Sequence, residues 1–329
     1  MRILSGDIGG TNSRFAVVEA DEHGVRAVTC RRTYDSAQLP GVEAALGRFV
    51  EETGVRADRI SLALACPVRN GACTLPNLGW KVDQGAVHRS LGSRAPPVVL
   101  LNDLEAVGHA ISVMESEDFE ELQPGVGEAE GVMALIAAGT GLGECFLVPR
   151  REGRFRVCAS EGGHADFAPR AELEWQLTRH LEAIHGRVSS ERVVSGPGLE
   201  ATYDFLLGRD GREDVLDRSS VHGEERAAAI ATRGMERSDI TCTRALDLFV
   251  HAYGARAGNL ALTTGATGGV YIAGGIAPKI LPRLREGDFL AALRDKGRLS
   301  YYLEAIPVRV VLNPDAGLIG AAVEAVRQH

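Results

Sequence analysis

Apolar positions along this chain recur at two spacings, alternate residues in some stretches and every third or fourth in others, and the switches between them lay out an α/β protein. The start reads as a glycine-turn hairpin with strands over Arg2 to Ile8 and Ser13 to Glu19. A helix over Gly41 to Thr53 and a strand over Arg59 to Ala65 follow. Pro96-Pro97 then leads into the apolar run Val98 to Leu101, which ends in Asn102-Asp103 ahead of a helical stretch from Leu104 to Met114. Strands followed by helices are the order of an α/β lobe, and polar residues at a strand's carboxyl end commonly face a ligand crevice.

A second hairpin is expected over Val132 to Pro149. The segment Ala171 to His185 puts Leu173, Leu177, Leu181 and Ile184 on one helical face, with Gly186 as its stop. A longer helical pattern runs from Asp239 to Gly265. Its stripe of Leu246, Phe249, Val250, Tyr253, Ala257 and Leu260 reads as a core helix and nothing more. Between these helices Gly208 to Ser238 is charged and poor in large apolar residues, which suits a surface excursion or a partner contact, and the surface excursion is the expectation. A strand over Gly269 to Ala273 precedes a third glycine turn, Gly274-Gly275, with Pro278 suited to opening a helix. The pattern closes with a strand from Ile306 to Leu312, a turn at Asn313-Pro314-Asp315, and a helix from Ala316 to Arg327 able to pack back on the first lobe.

Composition narrows this picture. With 329 residues the chain can form one large domain or two ordinary ones, and two lobes are favoured. Hydrophobic residues at 45% and charged residues at 24% fit a globular protein rather than a disordered or membrane one. A formal charge of -8 without a basic stripe argues against nucleic acid or an anionic membrane as partner. The first residues lack a secretory-signal pattern, and no run approaches the roughly 18 apolar residues of a membrane span. Cys30, Cys66, Cys73, Cys145, Cys158 and Cys242 contain no Cys-x-x-Cys pair and lie mostly in apolar runs, so reduced, buried cytosolic thiols are expected.

Two glycine-rich turns, Gly6 to Asn12 and Gly139 to Glu144, interrupt apolar runs. Backbone N–H groups in such turns can cradle an anion, glycine permitting close approach and positive φ, although an ordinary hairpin uses the same residues. Two of them in strand-turn-strand settings, the first carrying Asp7 and Thr11-Asn12, point to a nucleoside triphosphate. A dinucleotide fingerprint would open a helix after Gly143, whereas Glu144 to Val148 reads as a strand, and no Gly-Lys-Ser/Thr ending marks a P-loop. Asp7 can order a Mg²⁺ ion through water. Asp103, at a strand end, can accept the proton of an attacking hydroxyl, and Asn102-Asp103 is equally what a helix N-cap requires. Glu161-Gly162-Gly163-His164 sets a carboxylate and an imidazole around two glycines, and Glu191 adds a further acid; these are good acceptors for sugar hydroxyls. A solvated turn uses the same residues, while a zinc site would want more nitrogen or sulfur ligands near His164.

These motifs occur in the order Gly6-Asp7-Ile8-Gly9-Gly10-Thr11-Asn12, Leu101-Asn102-Asp103, Ala138 to Gly143, Glu161 to Pro169, Glu191-Arg192-Val193, Ser195 to Leu199 and Ile272 to Ile276. Nearly end to end, the chain resembles the bacterial glucokinase family, within the actin, Hsp70 and hexokinase superfamily. The resemblance implies a two-lobed actin-like ATPase fold, α/β and ribonuclease H-like, with an interlobe cleft. The small lobe would take residues 1–110 and 301–329, and the large lobe 111–300. It further implies a cytoplasmic homodimer that phosphorylates the 6-hydroxyl of glucose with ATP and Mg²⁺, feeding glycolysis. By the same carry-over Asp103 is the general base, and Asn102, Asp103, Glu161, His164 and Glu191 hold glucose. Gly6, Asp7, Ile8, Gly9, Gly10, Thr11, Asn12, Gly139, Thr140 and Gly141 would bind ATP, with Asp7 at the metal and Gly274 and Gly275 beside the adenosine. Related ROK proteins carry a cysteine-rich zinc motif after their Glu-x-Gly-His; here Ala165-Asp166-Phe167-Ala168-Pro169 stands there, so structural zinc is not expected. The competing readings are a kinase with another hexose or phosphoryl donor, and a non-catalytic sugar sensor. A DNA-binding repressor would need a helix-turn-helix, for which no basic extension exists.

Overall fold

Strand β1 (Arg2–Ile8) is buried on both faces because successive side chains point opposite ways: Ile3 joins a layer with Ala322 and Ala325, and Leu4 joins one with Leu46, Phe49 and Leu62. In the computed structural model, which describes every residue except 22–23, 93–94, 152–153, 217–222 and 328–329, this strand is central to the first of two large sheets. Strands β2 (Asn12–Asp21) and β3 (Gly24–Asp35) extend the sheet antiparallel on one side. After helix α1 (Val42–Thr53), β4 (Arg59–Leu64) pairs parallel with β1 on the other. A small antiparallel pair, β5 (Ala72–Thr74) and β6 (Lys81–Asp83), and helix α2 (Gln84–Ser90) come before β7 (Val98–Asn102), which completes the order β3-β2-β1-β4-β7. Helix α3 (Asp103–Ile111) starts directly at the end of β7.

Beyond β4 the chain turns at Asn70-Gly71, both at positive φ, and Arg69 and Ala72 exchange backbone hydrogen bonds. The turn brings Cys66 and Cys73 to a Cα separation of 6.2 Å, where they form a disulfide. The expectation of six reduced, buried thiols is corrected accordingly: Cys30 is exposed and Cys158 half-buried, while Cys145 and Cys242 are the buried free thiols.

The second sheet has the order β11-β10-β9-β12-β13-β8. Its strands are β8 (Phe119–Gln123), β9 (Met133–Ala138), β10 (Leu142–Pro149), β11 (Phe155–Ser160), β12 (Gly269–Ala273) and β13 (Val308–Val311). Strands β9 and β10 form the expected hairpin, and β9, β12 and β13 run parallel. The intervening helices are α4 (Glu172–His185), α5 (Gly196–Asp210), α6 (Glu224–Glu236), α7 (Ile240–Thr264), α8 (Leu281–Arg285), α9 (Asp288–Arg294) and α10 (Ser300–Ala305). All six stripe residues of α7 are buried in one core with β9 and β12. On α4, Leu177 and Leu181 are buried but Ile184 is 61% exposed, because the last turn leaves the core before Gly186 ends the helix in the left-handed region. Pro278 lies in a turn rather than opening a helix; α8 starts at Leu281 with Pro282 in its first turn.

The charged stretch 208–238 is at the surface over 208–215, as expected, but not throughout. It contains α6, which buries Ala227 and Ile230, while Arg226 is 3% exposed and ion-paired with Asp204 at 2.9 Å and Asp214 at 2.8 Å. Residues 217–222 of that stretch lie outside the described residues.

Helix α11 (Ala316–Arg327) returns to the first sheet. It meets α3 backbone to backbone, since a side chain at Gly320 would collide with the Ala106 carbonyl. By contacts the chain forms two compact units, Met1–Asp118 with Val157–Ala159 and Asn313–His329, and Phe119–Arg156 with Ser160–Leu312. The divisions fall after Asp118 and Leu312, where sequence placed them near 110 and 300, because β8 and β13 pair with each other in the second sheet.

Candidate active site

In the first unit, β7 ends where α3 begins, and the Asn102 side chain caps that helix by accepting from Leu104 N at 3.0 Å and Glu105 N at 3.2 Å. The capping function therefore falls to Asn102. Asp103 occupies the first helical position, where its Oδ1 accepts from Leu104 N at 2.8 Å. Burial, and then the nearby charge of Asp7, raise the Asp103 carboxyl from the usual carboxylate range to about 6. A carboxyl group poised there exchanges protons readily near neutral pH.

Asp7 stands near the end of β1 with Arg14 opposite it on β2, and the Arg14 guanidinium donates to the Asp7 carboxylate. The same guanidinium donates to the Pro314 carbonyl at 2.8 Å, and Arg31 bonds Asp315 at 2.8 Å, so the chain entering α11 is tied to the first hairpin. Of the remaining residues of that loop, Gly6 and Ile8 are buried within the sheet, while Thr11 and Asn12 are exposed at its turn. Gly9 N bonds Asn12 O at 2.9 Å, and Gly10 packs beside Asn77. Neither Gly9 nor Gly10 has a positive φ, so the expected left-handed backbone is absent there, and at Gly10 the missing side chain lets Asn77 pack close.

In the second unit the Gly139-Thr140-Gly141 turn joins β9 to β10, with Gly139 N bonded to Gly141 O at 2.9 Å. Thr140 Oγ1 donates to Glu224 of α6 at 2.8 Å. Glu191, in a short 3-10 turn at Ser190–Arg192, accepts from Leu142 N at 2.9 Å, and a side chain at Gly141 would come within 2.6 Å of its Oε2. Its other oxygen lies 3.8 Å from His164 Nδ1. Sequence placed Glu191 with the sugar and Gly141 with the nucleotide; here one carboxylate touches both neighbourhoods. Glu161 and His164 flank a second 3-10 turn, Gly162–His164, and both are exposed. Ser190 N donates to Ala165 O at 2.8 Å and holds the two turns together.

Gly274 follows β12, which pairs parallel with β9, so its turn abuts the Gly139 turn. Here a left-handed φ of +84° does require glycine, and a side chain would also strike the Ala138 carbonyl. Gly275 has open space around its Cα. Beneath these loops the fully buried Tyr253 hydroxyl accepts from Ala138 N at 3.2 Å and approaches Ala273 O at 3.3 Å. Its helix is the core helix that the stripe predicts, and this tyrosine also ties the ends of β9 and β12 together.

A family model described as glucokinase matches residues 4–328. A glucokinase from Synechocystis sp. is 41% identical over 98% of this chain and 97% of its own length. The chain belongs to the glucokinase family. Glucokinase from an Antarctic psychrotroph, a crystal structure 30% identical, matches with a TM-score of 0.83 over 99% of each chain. The fold also matches a ROK family glucokinase from Streptomyces griseus, solved in complex with glucose and AMPPNP, with a TM-score of 0.68 at 20% identity and full coverage of both chains. The architecture is the two-lobed actin-like kinase fold of those structures.

Set in the glucokinase family, this chain has two features that the sequence reading missed. Arg14 was detectable, because a hairpin with the expected strands places it across from Asp7. The half-buried Arg256 and the buried Glu144 form a pair whose only trace in the sequence is one charge on the long helical pattern and another at the start of a strand. Among the described residues no cluster of three His, Cys, Asp or Glu side chains is placed to hold a metal ion, and no helix is long and apolar enough to cross a membrane.

Proposed function

We infer that this glucokinase-family chain is an ATP-dependent hexose phosphotransferase that converts glucose and ATP to glucose 6-phosphate and ADP. In the reaction the 6-hydroxyl oxygen attacks the γ-phosphorus, the bond from that phosphorus to the β,γ-bridging oxygen breaks, and ADP leaves. Asp103 takes the hydroxyl proton, and its raised carboxyl is the observation that carries the chemistry. Asn102, Glu161, His164 and Glu191, with Asp103, receive the sugar hydroxyls; the exposure of Glu161 and His164 supports this. ATP is received by Gly9 to Asn12 and by the turns at Gly139 to Gly141 and at Gly274-Gly275. Gly6 and Ile8, being buried, support the first loop from beneath.

Asp7 suits a Mg²⁺ ion held mainly by phosphates and water, since such an ion takes few protein carboxylates. When bound, it would neutralise charge on the transferring phosphoryl group. Asp7, with Arg14 and Asp103 near it and no third ligating side chain among the described residues, fits that arrangement better than an all-protein cage would. A cytoplasmic homodimer is the assembly we propose from the family resemblance, and light scattering of the purified chain would answer with a dimer mass. The activity itself is tested by a coupled assay for glucose-dependent ADP release, run with a panel of hexoses and phosphoryl donors. Absence of ADP release with glucose and ATP would leave the sensor reading in its place.

A further inference from the structure

Strand β10 carries Glu144 into the core of the second unit, where it is 1% exposed. Both its oxygens are taken by one side chain: Arg256 of α7 donates from Nε to Oε1 at 2.5 Å and from a terminal nitrogen to Oε2 at 2.7 Å. That terminal nitrogen also donates to the Gly162 carbonyl at 2.8 Å. Gly162 sits between Glu161 and His164.

A buried ion pair is a poor source of stability, because desolvating two charges offsets most of their attraction. It is a good source of geometry. The guanidinium is a planar fork, and once two of its hydrogens are fixed on a carboxylate the direction of the next is fixed as well. The turn is shaped to receive it. A side chain at Gly162 would collide with the Glu144 carboxylate, and one at Gly163 with the Leu142 carbonyl, so the turn lies flush on β10. Gly162 O also accepts from Ala165 N at 2.9 Å, and Gly162 N donates to Ser160 Oγ at 3.0 Å. Held this way by its backbone, the turn presents Glu161 and His164 outward.

We propose that Arg256, locked by Glu144, is a positioning residue for glucose, setting the placement of Glu161 and His164 through the Gly162 carbonyl. The proposal rests on the assignment of those two side chains to the sugar. Arg256→Lys keeps a cation beside Glu144 but removes the fork. The expected result is a KM for glucose raised about 10-fold or more, with the KM for ATP within about twofold of the parent and the melting temperature little changed. Arg256→Gln should be worse for glucose in the same selective way. Should neither variant fold, Glu144→Gln carries the test, since its amide nitrogen cannot accept from the guanidinium and frees the fork while keeping the shape. Unchanged glucose kinetics in a folded variant, or equal losses for glucose and ATP, would overturn the proposal. Glu161→Ala and His164→Ala run alongside: if these leave the glucose KM unaltered, the sugar assignment itself is at fault rather than the role of Arg256.

Discussion

The two units handle charge in opposite ways. In the first, Asp103 is recessed at a helix start beside Asp7, and its affinity for a proton rises. In the second, Glu161 and His164 stand in the open on short turns, while the buried Glu144 and the half-buried Arg256 neutralise each other behind them. The contrast follows from the tasks proposed for each. A group that must take a proton near pH 7 needs a higher pKa, which burial and a like charge supply. Groups that bind hydroxyls need exposure and fixed position, which short turns on a rigid backbone supply.

The largest test of that contrast is Asp103→Asn, which should lower kcat by about 10² to 10⁴-fold while glucose binding by calorimetry is only weakened. The same variant should be more stable at pH 7. An acid with a raised folded pKa favours folding while it is protonated and disfavours it as pH climbs from about 3.8 to about 6, so removing the charge returns up to about 3 kcal/mol above pH 6. Equal melting temperatures at pH 7 would mean that Asp103 is not held in a costly state.

His109, on the same helix, has the opposite sign. Burial, then the charge of Arg327, lower it to about 4 from 6.5, so the fold needs it neutral and loses up to about 3 kcal/mol as pH falls through that interval. His109→Gln should flatten the acid side of the melting curve, and hydrogen exchange should place the parent's acid loss in the first unit.

Glu191 tests the second unit. Because it bonds the Gly139 to Gly141 hairpin at Leu142 N and lies near His164, Glu191→Ala should raise the KM for both glucose and ATP, each by roughly 10-fold. A change confined to glucose would separate the two neighbourhoods again. The smallest effect is expected from Asp7→Asn on the shape of the pH profile. The acid limb of kcat/KM should have its midpoint near about 6 in the parent and move lower in the variant, whatever the height of the curve, since one of the two causes holding Asp103 up is gone.

Long, regular patterns were legible from the sequence. The helix over 316–327 is found where expected, and the stripe on α7 is buried residue for residue. The glycine motifs and Asn102-Asp103 also fell at strand ends as read. What stayed hidden depended on partners far along the chain. Helix α6 was missed because its buried face uses alanines and an arginine neutralised by Asp204 and Asp214, which no local hydrophobic window registers. Arg256 looked like an ordinary charge on a helix until Glu144, 112 positions away, was seen against it. The disulfide did have a local signal, since Asn70-Gly71 is a hairpin turn that folds Cys66 back on Cys73.

The seat of α11 has a consequence for the order in which the protein is made. Residues 313–329 leave the ribosome after the whole of the second unit, yet they supply one face of the first. The second unit can therefore finish folding while the first still lacks a layer of its core. A nascent chain that stops short of Gly320 already contains every residue assigned here to ATP and sugar, but the helix that carries Asp103 then has the sheet on one side and lacks α11 on the other. A chain cut before Gly320 is therefore expected to lose the close backbone packing on α3 that helps to place Asp103.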